Sequence, residues 1–441
     1  MRSAIIAGLL LTVIVLPFTV QAAEELKVIT LDESIREALN NNWSIKAKKE
    51  NINKSVYVKD QAKASFLPKF STSYGYTRLS EITKSDPVNI GAITIPGREL
   101  NNQDNYQWKG SITQPIFTGF ALSSSYELAK LGINLAELEL DLDKLDLGLR
   151  VKQAYYDILK ADRAVDVAQK AVASLDSHVQ VARNFYKVGM IPINDLLKAE
   201  VELANSQYNL VKAQNALLLA RSAFNIVLSR DIDKPLEVED ILNYKPESGD
   251  FETYLNHALK NRPDIKAIDT SLLQMDQEVR LAESKFYPEI SLVYDYIKEG
   301  EDPDVSGGPF HEANRWQSMA VLSWTFWEWG KTRSAVREKE SLKGQIIQNR
   351  SALLDQIRLE IKQAVLALSV AEKNIPTTEK AVEQAEENLR VSEERYKAQV
   401  TTSTEVLDAQ TLLTQARTNF YNALYEHNLA KAKLHRAMGE Y

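Results

Sequence analysis

Glu405 and Asp408 stand three residues apart at the start of a helical pattern. That spacing puts both carboxylates on one helix face, close to the positive end of the helix dipole. On spacing alone, Glu405 is a helix cap and Asp408 a solvated charge. The five histidines, His178, His257, His311, His427 and His435, show neither the i, i+4 pairing of a helical zinc site nor an acidic partner at motif spacing. They read as surface or core residues. There is no glycine loop of the kind that cradles phosphate. With no cysteine in the chain, disulfides, thiolate metal sites and lipid attachment through cysteine are excluded. Hence the sequence offers no catalytic residues, no metal site and no cofactor, and the chain is not expected to be an enzyme.

The carboxylates sit in an element that occurs twice. Phe185 to Glu200 reads FYKVGMIPINDLLKAE, and Arg395 to Gln410 reads RYKAQVTTSTEVLDAQ, an offset of 210 residues from Tyr186 to Tyr396. In each copy a long helical pattern meets a short break and a second helical pattern follows a cluster of capping residues, so each copy predicts the tip of a helical hairpin. Upstream, IREALNNNWSIKA (Ile35 to Ala47) matches LNHALKNRPDIKA (Leu255 to Ala267). SFLPKFSTSYGY (Ser65 to Tyr76) matches KFYPEISLVYDY (Lys285 to Tyr296), with an offset of 220 from Pro68 to Pro288. A repeat of this length means two halves of one domain rather than a solenoid.

In each half the pattern predicts a helix (Leu31 to Phe66; Phe251 to Phe286), two strands, a long helix and a return helix. Apolar residues of Ala121 to Lys187, among them Val165, Ala168, Val172, Leu175, Val179 and Ala182, step by three and four, a coiled-coil pattern. Lys331 to Lys397 is its counterpart, where Pro376 predicts a kink or break. Asp195 to Leu228 and Glu405 to Met438 return. At 1.5 Å per residue a long helix spans about 100 Å. An opening and a return helix laid end to end match one long helix, with the strands at one end and the hairpin tip at the other.

Met1 to Ala22 carries Arg2, an apolar run and small residues at Val20-Gln21-Ala22, the plan of a cleaved secretory signal. A formal charge of -7 gives no support to nucleic-acid binding. The expected organisation is therefore residues 1–22 as signal peptide, 23–228 as first repeat, 229–250 as linker and 251–441 as second repeat, the linker and both termini forming a belt midway along the helices.

Alternation predicts strands at Lys69 to Thr77, Trp108 to Ile116, Glu289 to Lys298 and Trp316 to Phe326, with a long loop over Leu79 to Asn105. Ten-residue strands suit a tilted membrane strand, and Trp108, Trp316, Trp324 and Trp327 lie where an interfacial girdle is expected. Four strands cannot close a barrel, and open edges are not tolerated in lipid. Other copies must complete them. Two copies give a filled eight-stranded barrel and three give twelve strands with a lumen. Alternation alone leaves open which face meets lipid, Tyr74, Tyr76, Tyr294 and Tyr296 fitting a girdle or a lumen.

The signal, the duplicated plan and the tips YKVGMIPINDLLKAE and YKAQVTTSTEVLDAQ resemble the outer membrane efflux protein family, the TolC-type channels, over the whole mature chain. The resemblance implies a mainly α fold with a small membrane β part. In that fold a long α-helical coiled-coil barrel crosses the periplasm, and four strands per chain complete a twelve-stranded barrel in a homotrimer. It further implies an exit duct of a tripartite efflux or type I secretion system, docked at its tips on a periplasmic adaptor that links it to an inner-membrane transporter. Carried onto this sequence, the pore gate falls on Glu405, Asp408 and Tyr396, with Asp195 and Tyr186 as first-half counterparts. Threefold symmetry then gathers six carboxylates in a ring that favours cations. Adaptor contact falls on Gly189, Met190, Ile191 and Pro192 and on Val400, Thr401, Thr402 and Ser403, where ordinary turn chemistry also accounts for Gly and Pro. The sequence departs from the family at Thr401, where some members carry a latch arginine, Lys397 being a substitute, and at Gln399, where the first tip has Gly189. The alternative is a periplasmic coiled-coil scaffold or adaptor without a pore, though such a protein is expected to carry one hairpin rather than two.

Overall fold

The structure, a computed structural model, describes residues 28–247 and 249–441; the expected signal, residues 1–22, lies outside the described residues. A two-residue strand β1 (Val28–Ile29) leads into a capping box, in which Thr30 Oγ1 accepts from the Glu33 amide and the Glu33 carboxylate accepts from the Thr30 amide. This satisfies two donors of the first turn of α1 (Leu31–Asn41).

The single helix expected over residues 31–66 is two helices. Asn42 is extended, with φ −61° and ψ 134°, and its side chain accepts from the Ser44 amide at 2.9 Å, capping α2 (Trp43–Ala64). Asparagine thus ends one helix and starts the next.

β2 (Lys69–Arg78) follows Pro68. The expected long loop is ordered in part, holding a small hairpin of β3 (Val88–Ile90) and β4 (Ile93–Ile95) turned at Gly91, where φ is +64°. β5 (Asp104–Thr118) then runs into α3 (Ala121–Lys187), α4 (Ile193–Val227) and the two-residue β6 (Glu237–Val238). β6 pairs in parallel with β1, and the fully buried Tyr155 of α3 places its hydroxyl between Ile29 O at 3.1 Å and Glu239 O at 2.8 Å. The waist of the molecule is tied there.

The second half repeats the plan with α5 (Phe251–Asn261), α6 (Pro263–Glu283), β7 (Glu289–Gly300), β8 (Arg315–Ser323), α7 (Lys331–Lys397) and α8 (Ser403–Met438). The break between α5 and α6 falls at Arg262, before Pro263 at the first helical position, where a missing N–H costs nothing. β8 stops at Ser323, short of the expected Phe326. Both long helices have 67 residues, as the sequence predicts. The expected break at Pro376 is absent, since α7 continues through it.

The larger sheet is antiparallel in the order β2-β5-β7-β8, so the β5–β7 pair joins the halves and β2 and β8 are its edges. The helices follow the same logic. α3 packs against α2 and α4 of its own half and against α6 and α8 of the other, whereas the extensive neighbours of α7, namely α5, α6 and α8, all lie in the second half. No helix among the described residues is long and apolar enough to cross a membrane.

Candidate functional site: hairpin tips and strand sector

The two tips end their long helices in the same way. At the first, the Met190 amide donates to Phe185 O at 2.8 Å and the Gly189 amide to Tyr186 O at 2.9 Å. At the second, the Val400 amide donates to Arg395 O and the Gln399 amide to Tyr396 O, both at 2.9 Å. These are paired Schellman bonds around a left-handed residue, Gly189 with φ +78° and Gln399 with φ +59°. Glutamine there carries the Cβ penalty that glycine avoids. Its Nε2 lies 2.9 Å from Met190 Sδ of the other tip.

The gate candidates part company. Tyr396 is 4% exposed and packs its ring on His178 of α3, 4.8 Å between centroids, and on Phe185 at 5.6 Å. Burial first, and then the Asp195 charge, push its hydroxyl above the ordinary tyrosine range. Tyr186, its counterpart, is 41% exposed. The repeat therefore conserves the residue and not its environment.

Glu405, in the first turn of α8, accepts from Arg395 Nη1 at 2.9 Å and from the Thr401 hydroxyl. Thr401, at the position of the expected latch arginine, thus holds the same carboxylate that Arg395 neutralises. Lys397 does not substitute, being paired with Glu394 at 2.9 Å. Arg395 is the functional candidate that the sequence reading missed. Its signal was available, because a Schellman turn brings the third-last residue of one helix beside the first turn of the next. Asp408 is exposed in a groove of about 580 Å³ between the starts of α4 and α8, shared with Lys198 and Glu202. Glu405 and Asp408 are near neighbours on α8, but only Glu405 is held by a cation from its own hairpin. Of the contact candidates at the tips, Gly189, Met190, Pro192, Val400 and Thr402 are exposed, Ile191 and Thr401 half-buried, and Ser403 buried.

At the opposite end, strand register sorts the residues by face. Tyr74 lies opposite Trp108, Tyr76 opposite Tyr106, and Tyr296 opposite Gly110 and Trp316, all on one face. On the other face, Asp295 is 1% exposed and accepts from Lys109 at 2.8 Å, Ser111 at 2.6 Å and Gln317 at 2.9 Å. Glu299 accepts there from Arg315 at 2.9 Å. The sheet is aromatic on one side and ion-paired on the other. Trp316, Trp324 and Trp327 are exposed and Trp108 half-buried. Trp324 and Trp327 lie beyond β8 at the helical end, Trp324 donating to Phe286 O at 3.1 Å. Trp108 and Trp316 stand nearer the far end, so the tryptophans form two levels.

No group of His, Asp or Glu among the described residues is arranged to hold a metal ion.

Comparison with known proteins agrees with the duplicated fold. Residues 34–225 and 254–440, which are the two halves, match the family of outer membrane efflux proteins. The chain is 24% identical to the cobalt-zinc-cadmium resistance protein CzcC of Cupriavidus metallidurans, covering 93% of this chain and 90% of that one. It is 21% identical to the outer membrane protein TolC of Vibrio cholerae, over 86% of this chain and 83% of that one. Among solved structures, the Campylobacter jejuni CmeC outer membrane channel superposes with a TM-score of 0.78 at 20% identity, covering 93% and 85% of the two chains. VceC of Vibrio cholerae does so with 0.75 at 18% identity, covering 93% and 96%.

Proposed function

Because the chain belongs to the outer membrane efflux protein family, we propose that it is the outer membrane channel subunit of a tripartite efflux or type I secretion system, a passive duct across periplasm and outer membrane. The adaptor docks on the tips, and an inner-membrane transporter drives the cargo. The scaffold alternative has no use for a sheet with one aromatic face and two open edges.

The observation that carries this reading is the broken symmetry of the halves. Within the chain, β5 and α3 of the first half join β7, α6 and α8 of the second. Applying the repeat, β8 and α7 are due the same partners from a first half, namely β2, α2 and α4, and those elements are free only in another copy. The contact is head-to-tail and closes as a ring, which removes both sheet edges. Three copies give twelve strands and a lumen. The aromatic face then meets lipid and the Asp295 network the lumen, with the two levels of tryptophan as girdles.

The repeat offsets also give the register expected of that contact. Thr113 faces Val293; moved by 210 and 220 residues, that pair becomes Ser323 against Ser73 of the next copy. In this cysteine-free chain, Ser73→Cys with Ser323→Cys is expected to cross-link in outer membranes into species of up to three chains and no more. Monomer alone, or an open-ended ladder, overturns the ring. Glu405 and Asp408 form the gate in this reading, Tyr396 and Asp195 packing behind it, and Tyr186 stands on the outer surface near the adaptor contacts.

A further inference from the structure

His178 sits at a core position of α3, 6% exposed, between Leu175, Val179 and Ala182 of the apolar stripe. Its Nε2 shares a 2.7 Å hydrogen bond with Ser403 Oγ, at the first position of α8, and its ring lies against Tyr396 of α7. Near the tips, the other side-chain hydrogen bond between the halves among the described residues is the exposed one from Gln399 to Met190. A polar group is costly at a coiled-coil core position, and its best attested use is to fix register. Here the register fixed is that of the second tip against the first-half long helix.

We propose that His178 is a positioning residue of the gate, which through Ser403 and Tyr396 pins the tip carrying Glu405 and Asp408 to α3. The inference rests on the gate reading above. Moving the second tip relative to α3 breaks the bond to Ser403 and wets the imidazole. The wet ring accepts a proton that the buried ring refuses, so acid favours the displaced tip.

The groups around His178 do not offset this. Tyr396 on α7 is held neutral by burial and by Asp195 of α4, Ser403 on α8 carries no charge, and Glu405 is engaged by Arg395 and Thr401. Burial lowers the His178 pKa from 6.5 to about 4. A shift of that size makes protonation favour the wet state by about 160-fold per chain at pH 4, rising toward about 300-fold at lower pH.

The test is conductance of the purified protein in planar lipid bilayers between pH 7 and pH 4. Wild type is expected to rise in open probability as pH falls below about 6, while His178→Gln, which keeps a hydrogen bond but cannot titrate there, stays flat. Ser403→Ala is expected to raise open probability already at pH 7, and it reports on the same contact should His178→Gln assemble poorly. Identical pH profiles for wild type and His178→Gln, or an unresponsive wild type, overturn the role of His178 while leaving the duct intact. A wild-type protein that inserts and conducts at no pH overturns the duct reading itself, and this inference with it.

Discussion

Arg395 Nη1 donates to Glu405 Oε1 at 2.9 Å, joining the last turn of α7 to the first turn of α8 across the second tip. The partners are 49% and 44% exposed, so the pair contributes only about 0–1 kcal/mol to stability. Its effect is on charge. Arg395→Ala is expected to leave the melting temperature nearly unchanged and to increase cation preference, because Glu405 keeps its charge and loses its counter-ion. Glu405→Ala with Asp408→Ala is expected to act in the opposite sense. Reversal potentials across a salt gradient separate the two, and no change in either variant removes these carboxylates from the constriction.

Gln399 takes the left-handed conformation that Gly189 takes in the other tip. Gln399→Gly is expected to stabilise the protein by roughly 0.5–1 kcal/mol, the relief of the Cβ clash outweighing the added chain entropy. Gly189→Ala, nothing crowding the site, is expected to destabilise it by about 1 kcal/mol. Denaturant midpoints measured at constant detergent check both signs, and a destabilised Gln399→Gly would show that the contact with Met190 outweighs the strain.

That pair also marks how far the sequence could be read. Periodicity placed both long helices to the residue, because 67 positions of regular spacing average out local noise. It missed the break at Asn42, where a single capping side chain outweighs a continuous helical pattern. The arginine that serves Glu405 lies ten positions before it, beyond the three- and four-residue spacings by which helical ion pairs are found. The aromatic and ionic faces of the sheet needed the register of four strands, which no single strand encodes.

Asp295 anchors the ionic face, accepting from Lys109, Ser111 and Gln317 while 1% exposed. Removing it leaves three donors without that acceptor, one of them charged. Asp295→Ala is expected to cost about 2–4 kcal/mol. Lys109→Ala is expected to cost less, since Ser111 and Gln317 still satisfy the carboxylate. The temperature at which the assembly dissociates in detergent gels should fall further for Asp295→Ala, and the reverse order would mean that Lys109 is satisfied elsewhere.

His427 ties α8 to the linker at the waist, donating from Nε2 to Lys245 O at 3.2 Å while 1% exposed, its ring edge-on to Tyr244. Burial is the main cause lowering its pKa from 6.5, against the lesser opposing effects of the bond to Lys245 and the Glu372 charge. The folded state therefore favours the neutral ring. The stability this supplies is complete above pH 6.5 and declines as pH falls through the depressed folded-state value. His427→Phe fills the space without titrating, yet leaves the Lys245 carbonyl unpaired. At pH 7.5 the variant is expected to be less stable by about 1 kcal/mol, and between pH 7 and pH 5 to lose less stability than wild type. The two unfolding curves should converge as the medium is acidified, and parallel loss in both would place the acid sensitivity of the waist on other groups.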